Sequence, residues 1–501
     1  MTGGRFIGAI DQGTTGTRFM VFDGDGHVVT SAYANHRQHY PRQNWVEHDP
    51  QEIWENTTVA IHRALDVADI DAADLTGLGV TNQRETAVVW DAETGEPLHN
   101  AIVWRDRRTI DRIEELHEEG KAAEIRSKTG LELDPYFSAS KFEWLLDHAG
   151  DGDLRAAARD GEVCCGTMDA WLLFNLTGRH VTEVTNASRT MLFNVHELDW
   201  DDDLLDEFGV PRESLPEVRP SSDDDYYGTT DSDGFLGAEV PVAGALGDQQ
   251  AALFGQACFD AGQAKNTTGT GSFFLLNTGE EPVESDHGLL TTVAFQRSGE
   301  PVQYALEGAV FTTGAGIEWL EEVGVIDDPT TTEQLARSVD STEGVYMVPA
   351  FTGLGAPFWN RSARGNLVGL TRDTKREHIV RAAVEAITYR TRDVVEAVDA
   401  DSGPELETLK VDGATVKNDF LCQLQADVLQ TDVVRPEVDE TTALGAAYAA
   451  GLAVGFWDDL DELRSHWRAD KRFTPSMDAT VADDRYDRWS KAVEQARDWD
   501  S

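Results

Sequence analysis

Two short turns rich in glycine and threonine, each set between segments of strand character, constrain this chain more than any other feature. The first turn, residues 11–18, reads DQGTTGTR and separates the apolar segments 6–10 and 19–22. The second, residues 266–272, reads NTTGTGS and leads into the apolar segment 273–276. Glycine lets backbone N–H groups approach an anion closely, and threonine hydroxyls add donors. Two such turns, about half a chain apart, predict a duplicated scaffold that grips one polyphosphate between its halves.

The context of the first turn excludes the commonest nucleotide-binding folds. Segments 6–11, 18–22 and 27–32 have the composition of consecutive strands, so the turn joins two antiparallel strands. A P-loop or a dinucleotide-binding loop leads into a helix instead, and neither GxxxxGK[ST] nor GxGxxG occurs in the chain. Further strands are predicted at 78–81, 87–90 and 240–246, and helices at 378–400, 418–429 and 443–454. The predicted fold class is therefore α/β.

Length and charge indicate the number of domains and the working conditions. A chain of 501 residues exceeds one ordinary core, and the strand pattern restarts after Gly255, so we predict two domains, 1–255 and 256–501. Asp and Glu number 91 against 42 Lys and Arg, which gives a net charge of −49. In molar salt the Debye length falls to ~3 Å and this self-repulsion is screened. The composition therefore indicates adaptation to high salt and disfavours nucleic-acid and membrane partners.

The sequence predicts neither a targeting segment nor a cysteine-based metal site. The chain runs almost directly into a strand, and its longest apolar stretch, 443–456, is shorter than the ~18 residues of a membrane span. That stretch is rich in Gly and Ala, which favours a buried helix packed closely on a neighbour. The four cysteines lack CxxC spacing, so we expect neither a disulfide framework nor a zinc site. We expect a cytoplasmic protein without membrane insertion.

Longer segments carry a family resemblance. Residues 136–145 read YFSASKFEWL, and residues 365–370 read GNLVGL, followed by HI at 378–379 and AAVE at 382–385. These segments resemble the two signatures of the FGGY carbohydrate kinases, which belong to the actin, hexokinase and sugar-kinase superfamily. Blocks that resemble the glycerol kinases within this family lie at 44–50, 81–86, 186–193, 247–255 and 351–357. The resemblance covers nearly the whole chain.

The resemblance implies a fold, an activity and partners. The implied fold has two ribonuclease H-like domains, each a mixed sheet flanked by helices, with a catalytic cleft between them. The implied activity is the ATP-dependent phosphorylation of glycerol to sn-glycerol 3-phosphate, with ATP and Mg²⁺ as cofactors. We further expect a homo-oligomer, either a dimer or a tetramer. Two alternatives stay open: a kinase of another polyol or sugar, such as xylulose or erythritol, and a non-catalytic actin-like ATP switch.

The residue chemistry of these blocks fits a polyol. Three hydroxyls need paired donors and acceptors, since each unpaired polar group costs ~1–3 kcal/mol. Arg84 and Glu85 offer both, although their spacing alone fits a surface ion pair about equally well. Asp248 follows a predicted strand and precedes a predicted helix, where it is either a helix cap or a carboxylate that projects into a cleft.

The resemblance assigns roles to single residues. Asp248 is the implied general base for a terminal hydroxyl, and Asp11 and Asp248 are the implied Mg²⁺ ligands. The implied glycerol contacts are Arg84, Glu85, Trp104, Tyr136, Asp248, Gln249 and Phe273. The implied nucleotide contacts are Thr14, Thr15, Gly16, Arg18, Thr270, Gly314, Glu318, Ala414 and Asn418. The family pattern has Ser at position 16, Gln at 318 and Gly at 414, so these departures bear on nucleotide affinity and base preference.

Overall fold

The computed structural model describes residues 6–150, 152–401, 403–497 and 499. Its strands, in chain order, are β1 (Phe6–Gln12), β2 (Gly16–Phe22), β3 (Val28–Asn35), β4 (Glu47–His48), β5 (Leu75–Asn82), β6 (Val88–Asp91), β7 (Ala101–Ile102), β8 (Val163–Gly166), β9 (Val181–Glu183), β10 (Phe193–Asn194), β11 (Asp199–Trp200), β12 (Glu217–Arg219), β13 (Gly228–Thr229), β14 (Pro241–Gly247), β15 (Gln263–Thr268), β16 (Ser272–Gly279), β17 (Leu290–Phe295), β18 (Gln303–Val310), β19 (Tyr346–Val348), β20 (Asn366–Val368), β21 (Thr408–Asp412), β22 (Asp432–Pro436) and β23 (Ala469–Phe473).

Its helices, in chain order, are α1 (Pro50–Ala68), α2 (Ile110–Glu118), α3 (Ala122–Thr129), α4 (Ala139–His148), α5 (Leu154–Arg159), α6 (Met168–Thr177), α7 (Val184–Ala187), α8 (Asp202–Phe208), α9 (Asp248–Gly255), α10 (Gly314–Glu322), α11 (Thr332–Arg337), α12 (Arg376–Ala400), α13 (Asp419–Leu429), α14 (Thr441–Ala453), α15 (Leu460–His466) and α16 (Ala479–Glu494). Short 3₁₀ turns lie at Ala72–Asp74, Arg212–Ser214, Pro329–Thr331 and Ala414–Lys417.

Two mixed sheets with the same internal order organise the two halves of the chain. The first has the strand order β13-β14-β5-β1-β2-β3, and the second β17-β18-β16-β15-β21-β22-β23. In each sheet an antiparallel hairpin, β1–β2 or β15–β16, is extended by two parallel strands, β5 and β14 or β21 and β22. The two glycine-threonine turns are the turns of these hairpins. The predicted α/β class and the strand–turn–strand context of both turns are confirmed.

The central strands of the first sheet are apolar on both faces because helices cover both faces. Ile10 of β1 packs in the core that α1 closes, together with Ile53. Its neighbour Ala9 points to the opposite face and packs with Ala446 of α14. Helix α1 begins at Pro50 after Asp49, whose carboxylate accepts backbone N–H bonds from the first turn.

Helix α14 belongs to the second half of the chain but packs on the first sheet. It lies against β1, β5, β14 and α9. A side chain at Gly445 would overlap the carbonyl oxygen of Ala251, and one at Gly79 would overlap that of Ala446. The predicted close packing of this buried helix is therefore confirmed, and its partner is the other half of the chain. No helix in the described part of the chain is both long enough and apolar enough to cross a membrane.

Candidate active site

The carboxyl ends of three parallel strands bring the predicted catalytic residues together. In the register of the sheet, Asp11 at the end of β1 lies beside Thr81 of β5, and Thr81 lies beside Leu246 of β14. Arg84 and Glu85 follow β5, and Asp248 follows β14 as the first residue of α9. Ligands of open α/β sheets commonly bind at this edge.

The backbone at Glu85 is held in an uncommon conformation. Its φ of 61° lies in the left-handed region, which costs a residue with a side chain about 1–3 kcal/mol. The N–H of Thr86 donates to the carbonyl of Arg84 at 2.8 Å, so the chain makes a tight bend there. This bend lets the side chains of Arg84 and Glu85 both enter the buried site.

A buried ring of four alternating charges underlies the site. Both terminal nitrogens of Arg84 donate to Glu307, at 2.6 and 2.9 Å. Arg189 donates to Glu85 at 2.8 Å and to Glu307 at 3.1 Å. Burial alone would raise the pKa of Glu307, but the two guanidinium groups lower it to about 2. Burial raises the pKa of Glu85 although both arginines oppose the shift.

This ring corrects one expectation and adds two residues that sequence reasoning missed. The fork of Arg84 was expected to be free for hydroxyls, yet Glu307 occupies it. Within the described residues Arg84 also donates to Gln250 at 3.1 Å, which leaves one N–H of Nη2 without a described partner, while Nε lies 3.2 Å from the carboxylate of Asp248. Glu307 and Arg189 were not predicted. The sequence does hold a signal for Glu307: it is the one acidic residue of strand β18, QYALEGAV, which is mostly apolar. An acidic side chain is buried in such a strand only when it is paired with a positive charge, so a buried partner could have been predicted.

Asp248 presents an acceptor that its described surroundings do not satisfy. Its Oδ1 lies 3.2 Å from Nε of Arg84, but the geometry is not that of a hydrogen bond, and this buried atom has no other hydrogen-bond partner among the described residues. The side chain as a whole is 30% exposed, so it reaches the cleft. Burial raises its pKa, while Arg84 and Lys265 lower it. Asp248 is thus positioned to accept a proton or a hydrogen bond from a ligand.

Lys265 joins the second half of the chain to this site. Its ammonium group, on β15, donates to the side-chain oxygen of Gln249 and, at 3.0 Å, to the hydroxyl of Thr267. Burial lowers the pKa of Lys265 to about 8. The contact places the start of the second glycine-threonine turn close to Asp248. Gln249, predicted as a glycerol contact, is therefore engaged with a cation that sequence reasoning missed.

Aromatic rings form one wall of the site. The rings of Trp104 and Tyr136 meet edge to face at 5.8 Å, and Phe311 adds a further edge at 5.8 Å from Tyr136. The indole N–H of Trp104 donates to the hydroxyl of Thr14 at 3.1 Å, which ties this wall to the first turn. Phe273, the third predicted wall residue, is partly buried on β16.

The first turn is closed by its own backbone. The N–H of Gly13 donates to the carbonyl of Gly16 at 2.9 Å, and Thr14 and Thr15 lie between them. A side chain at Gly16 would overlap the ring of Tyr33, so packing explains the glycine there. Arg18, expected to contact phosphate, forms an ion pair with Glu440 just before α14.

The second turn packs closely against two glycines, Gly314 and Gly413. A side chain at Gly314 would overlap the carbonyl oxygen of Gly269, and one at Gly413, where φ is 96°, would overlap that of Thr268. Gly314 is also the first residue of α10, so the amino end of that helix meets the turn. Thr270 is exposed at the tip of the turn.

The remaining predicted nucleotide contacts lie around these glycines. Ala414 is exposed and begins the 3₁₀ turn that follows Gly413. The side-chain oxygen of Asn418 accepts two backbone N–H bonds at 3.0 Å and caps α13. Glu318 is exposed on α10, one turn after Gly314.

The acidic pair at the base of the cleft fits a divalent cation. Burial raises the pKa of Asp11 to about 7, Arg18 opposes this shift, and the neighbouring Asp248 and Glu440 add to it. Carboxylate oxygens are ligands that Mg²⁺ prefers. A cation held by the carboxylates of Asp11 and Asp248 would relieve their mutual repulsion, so the residues present fit the ion.

Comparison with known proteins defines the class. Residues 6–255 match the N-terminal domain and residues 264–454 the C-terminal domain of the FGGY family of carbohydrate kinases. The chain therefore belongs to this family and is a kinase. Relatives named glycerol kinase include one from Haloferax volcanii, 66% identical over 100% of this chain and 99% of the relative. Another, from Haloquadratum walsbyi, is 65% identical over 99% of this chain and 98% of the relative.

Solved structures agree in fold. Plasmodium falciparum glycerol kinase with ADP matches with a TM-score of 0.92 and 37% identity, over 98% of both chains. A ligand-bound xylulose kinase from Lactobacillus acidophilus matches with a TM-score of 0.87 over 98% of both chains. That enzyme is only 21% identical, so its likeness shows the fold alone. The relatives in halophilic archaea agree with the salt adaptation that the composition indicates.

Proposed function

We propose that this kinase transfers the γ-phosphoryl group of ATP to a terminal hydroxyl of glycerol and releases sn-glycerol 3-phosphate and ADP. One observation carries the proposal: the partly exposed carboxylate of Asp248 lies 3.2 Å from the guanidinium of Arg84, at the sheet edge where β1 and the first turn meet. An acceptor next to a donor is the pairing that a hydroxyl needs. The names of the relatives support glycerol as the polyol.

The polyol would lie between charges and rings. The N–H groups of Arg84 that Glu307 leaves free can donate to hydroxyl oxygens, and Asp248 can accept from a hydroxyl. The edges of Trp104 and Tyr136 can cover the carbon skeleton. Because Glu307 holds the guanidinium rigidly, the donors are oriented before the substrate arrives, which lowers the entropic cost of binding.

The transfer itself requires orientation more than a strong base. Phosphoryl transfer runs through a loose transition state in which positioning and charge stabilisation dominate. As the hydroxyl oxygen forms its bond to the γ-phosphorus, the bond from that phosphorus to the β,γ-bridging oxygen breaks, and ADP leaves with the electron pair. The hydroxyl proton passes to the carboxylate of Asp248. The backbone N–H groups and hydroxyls of the two turns, together with Arg18, can hold the phosphates.

We also propose Mg²⁺ as the accompanying ion, with Asp11 and Asp248 as the residues that would hold it. When bound, the ion offsets negative charge on the phosphates. Such an offset matters here, because the chain carries a net charge of −49 and the site adds two neighbouring carboxylates. The dimeric or tetrameric assembly, the cytoplasmic location and the domain division at 255 stay predictions.

A coupled assay tests the function. The purified chain in molar KCl, with ATP and Mg²⁺, is given glycerol, xylulose or no polyol, and ADP release is followed together with the phosphorylated product. We expect ADP release that depends on glycerol and produces glycerol 3-phosphate. Turnover with xylulose but not glycerol would assign the chain to another polyol. Release of ADP without either substrate would favour an ATP switch.

A further inference from the structure

A buried threonine hydroxyl holds the Leu246–Gly247 peptide, which lies one residue before the proposed catalytic carboxylate of Asp248. The N–H of Gly247, the last residue of β14, donates to Oγ1 of Thr185 at 2.9 Å. Thr185 lies on the short helix α7, is fully buried, and is 62 residues away in sequence. Since Asp248 is the next residue after Gly247, the direction in which its side chain leaves the sheet depends on this peptide.

Glu183 fixes the orientation of that hydroxyl. The hydroxyl of Thr185 donates to Oε1 of Glu183 at 2.5 Å, so its lone pairs are free to accept from Gly247. The same carboxylate accepts from the backbone N–H groups of Thr185 and Asn186, from the Asn186 amide and from the Ser221 hydroxyl, at 2.6–2.9 Å. A buried carboxylate with this many donors is held in one orientation.

The same short helix also supports the other side of the site. Asn186 and Asn82 exchange two amide hydrogen bonds at 2.9 and 3.0 Å, and Asn82 also donates to the carbonyl of Gln83. These bonds hold the segment that leads to Arg84. In addition, a side chain at Gly247 would overlap the aliphatic part of Arg84, so the two strand ends are in close contact.

We propose that Thr185, oriented by Glu183, is a positioning residue for phosphoryl transfer, because it fixes the Gly247 peptide and thereby the direction of the Asp248 carboxylate. This inference rests on the proposed function. Arg84 is held independently by Glu307 and Gln250, whereas Asp248 has no described hydrogen bond at Oδ1 that would hold it in place. Loss of the threonine hydroxyl should therefore disturb catalysis far more than glycerol binding.

The test compares Thr185→Val, which keeps the shape and removes the hydroxyl, with Thr185→Ser, which keeps the hydroxyl. We expect kcat of Thr185→Val to fall about 10- to 100-fold, as for a misplacement of ~1 Å in a reacting group. KM for glycerol should stay within about threefold, because Arg84 remains tied to Glu307. Thr185→Ser should stay within about threefold of the wild type in kcat.

Thr182→Val is the matched control. The Thr182 hydroxyl is also buried and donates to another buried carboxylate, that of Asp169, but it makes no described hydrogen bond to β14. We expect Thr182→Val to lower Tm by about as much as Thr185→Val does, and to leave kcat per folded molecule unchanged. If Thr185→Val does not fold, Thr185→Ala removes the same hydroxyl with less bulk.

Three outcomes would overturn the proposal: equal kcat in Thr185→Val and Thr182→Val, a loss in Thr185→Ser as large as in Thr185→Val, or a loss confined to KM. The wild type is measured in the same assay. If it does not phosphorylate glycerol, the proposed function fails, and that result is distinguishable from a failure of the positioning role.

Discussion

Replacement of Asp248 by asparagine is the sharpest test of the proposed chemistry. The change keeps the shape of the side chain and removes the proton acceptor, and a general base typically contributes 10²–10⁴-fold. We therefore expect kcat to fall about 10²- to 10⁴-fold, which corresponds to ~2.7–5.4 kcal/mol of activation free energy. Glycerol should still bind, because the asparagine oxygen accepts a hydrogen bond and Arg84 keeps its bonds to Glu307.

The structure also predicts the stability of this variant. The pKa of Asp248 is raised in the folded state, so near pH 8 its ionised form costs stability relative to the unfolded chain. Asp248→Asn removes that cost, and we expect a Tm equal to or above that of the wild type. Turnover of glycerol is measured by glycerol 3-phosphate formation in molar KCl, and Tm is measured on the same sample, because an unfolded variant would be inactive as well and only its Tm would differ.

Asp49→Asn serves as the control for lost charge. Asp49 caps α1 through backbone N–H groups, and asparagine caps a helix about equally well. This variant should retain full activity. A kcat of Asp248→Asn within about threefold of the wild type would show that Asp248 is not the base. A large fall in Tm would show that its carboxylate supports the fold rather than the reaction.

Three further predictions follow from the charges of the site and the surface. Arg84→Ala should raise KM for glycerol. It should also lower the free energy of unfolding by about 3–5 kcal/mol, because Glu307 stays buried without its main partner. A rise in KM for ATP alone would show that Arg84 acts in the nucleotide site and not in the glycerol site. The raised pKa of Asp11, about 7 against an ordinary 3.8, means that the fold loses stability as pH rises through this interval. The Tm advantage of Asp11→Asn over the wild type, measured without Mg²⁺, should therefore grow between about pH 4 and 7 and level off above about pH 7, and a constant difference across this range would contradict the shift. Finally, the net charge of −49 should make folding depend on salt, so Tm and activity should rise between about 0.05 and 2 M KCl; equal values would contradict salt adaptation.

Local sequence chemistry was sufficient to predict the elements that carry the site. Hairpin turns, strand composition and the buried Gly- and Ala-rich helix are properties of segments shorter than about 20 residues. The structure confirms these predictions in the hairpins β1–β2 and β15–β16 and in helix α14. Asp248 at a strand–helix junction follows from the same local reasoning. Such segments are predictable because their conformations depend mainly on backbone preferences and on nearby side chains.

The assignment of charged partners could not be predicted from the sequence. The spacing of Arg84 and Glu85 fits an ion pair, and the two side chains do lie 3.9 Å apart, but the main partner of Arg84 is Glu307, 223 residues away. Arg18 pairs with Glu440, and Lys265 with Gln249, which again lie on different halves of the chain. The family resemblance predicted roles for the site residues but not these supporting contacts.

The sequence by itself determined the α/β class of this chain and the two glycine-threonine turns between strands, and its net charge of −49 predicts adaptation to high salt. Tertiary structure alone decided which charges neutralise one another and what holds the peptide N–H of Gly247, the residue before Asp248. The physical reason is that a buried charge must be paired wherever the topology puts it. Contacts such as that of Thr185 with Gly247, which lie 62 residues apart, arise only when β14 and α7 meet in the folded protein.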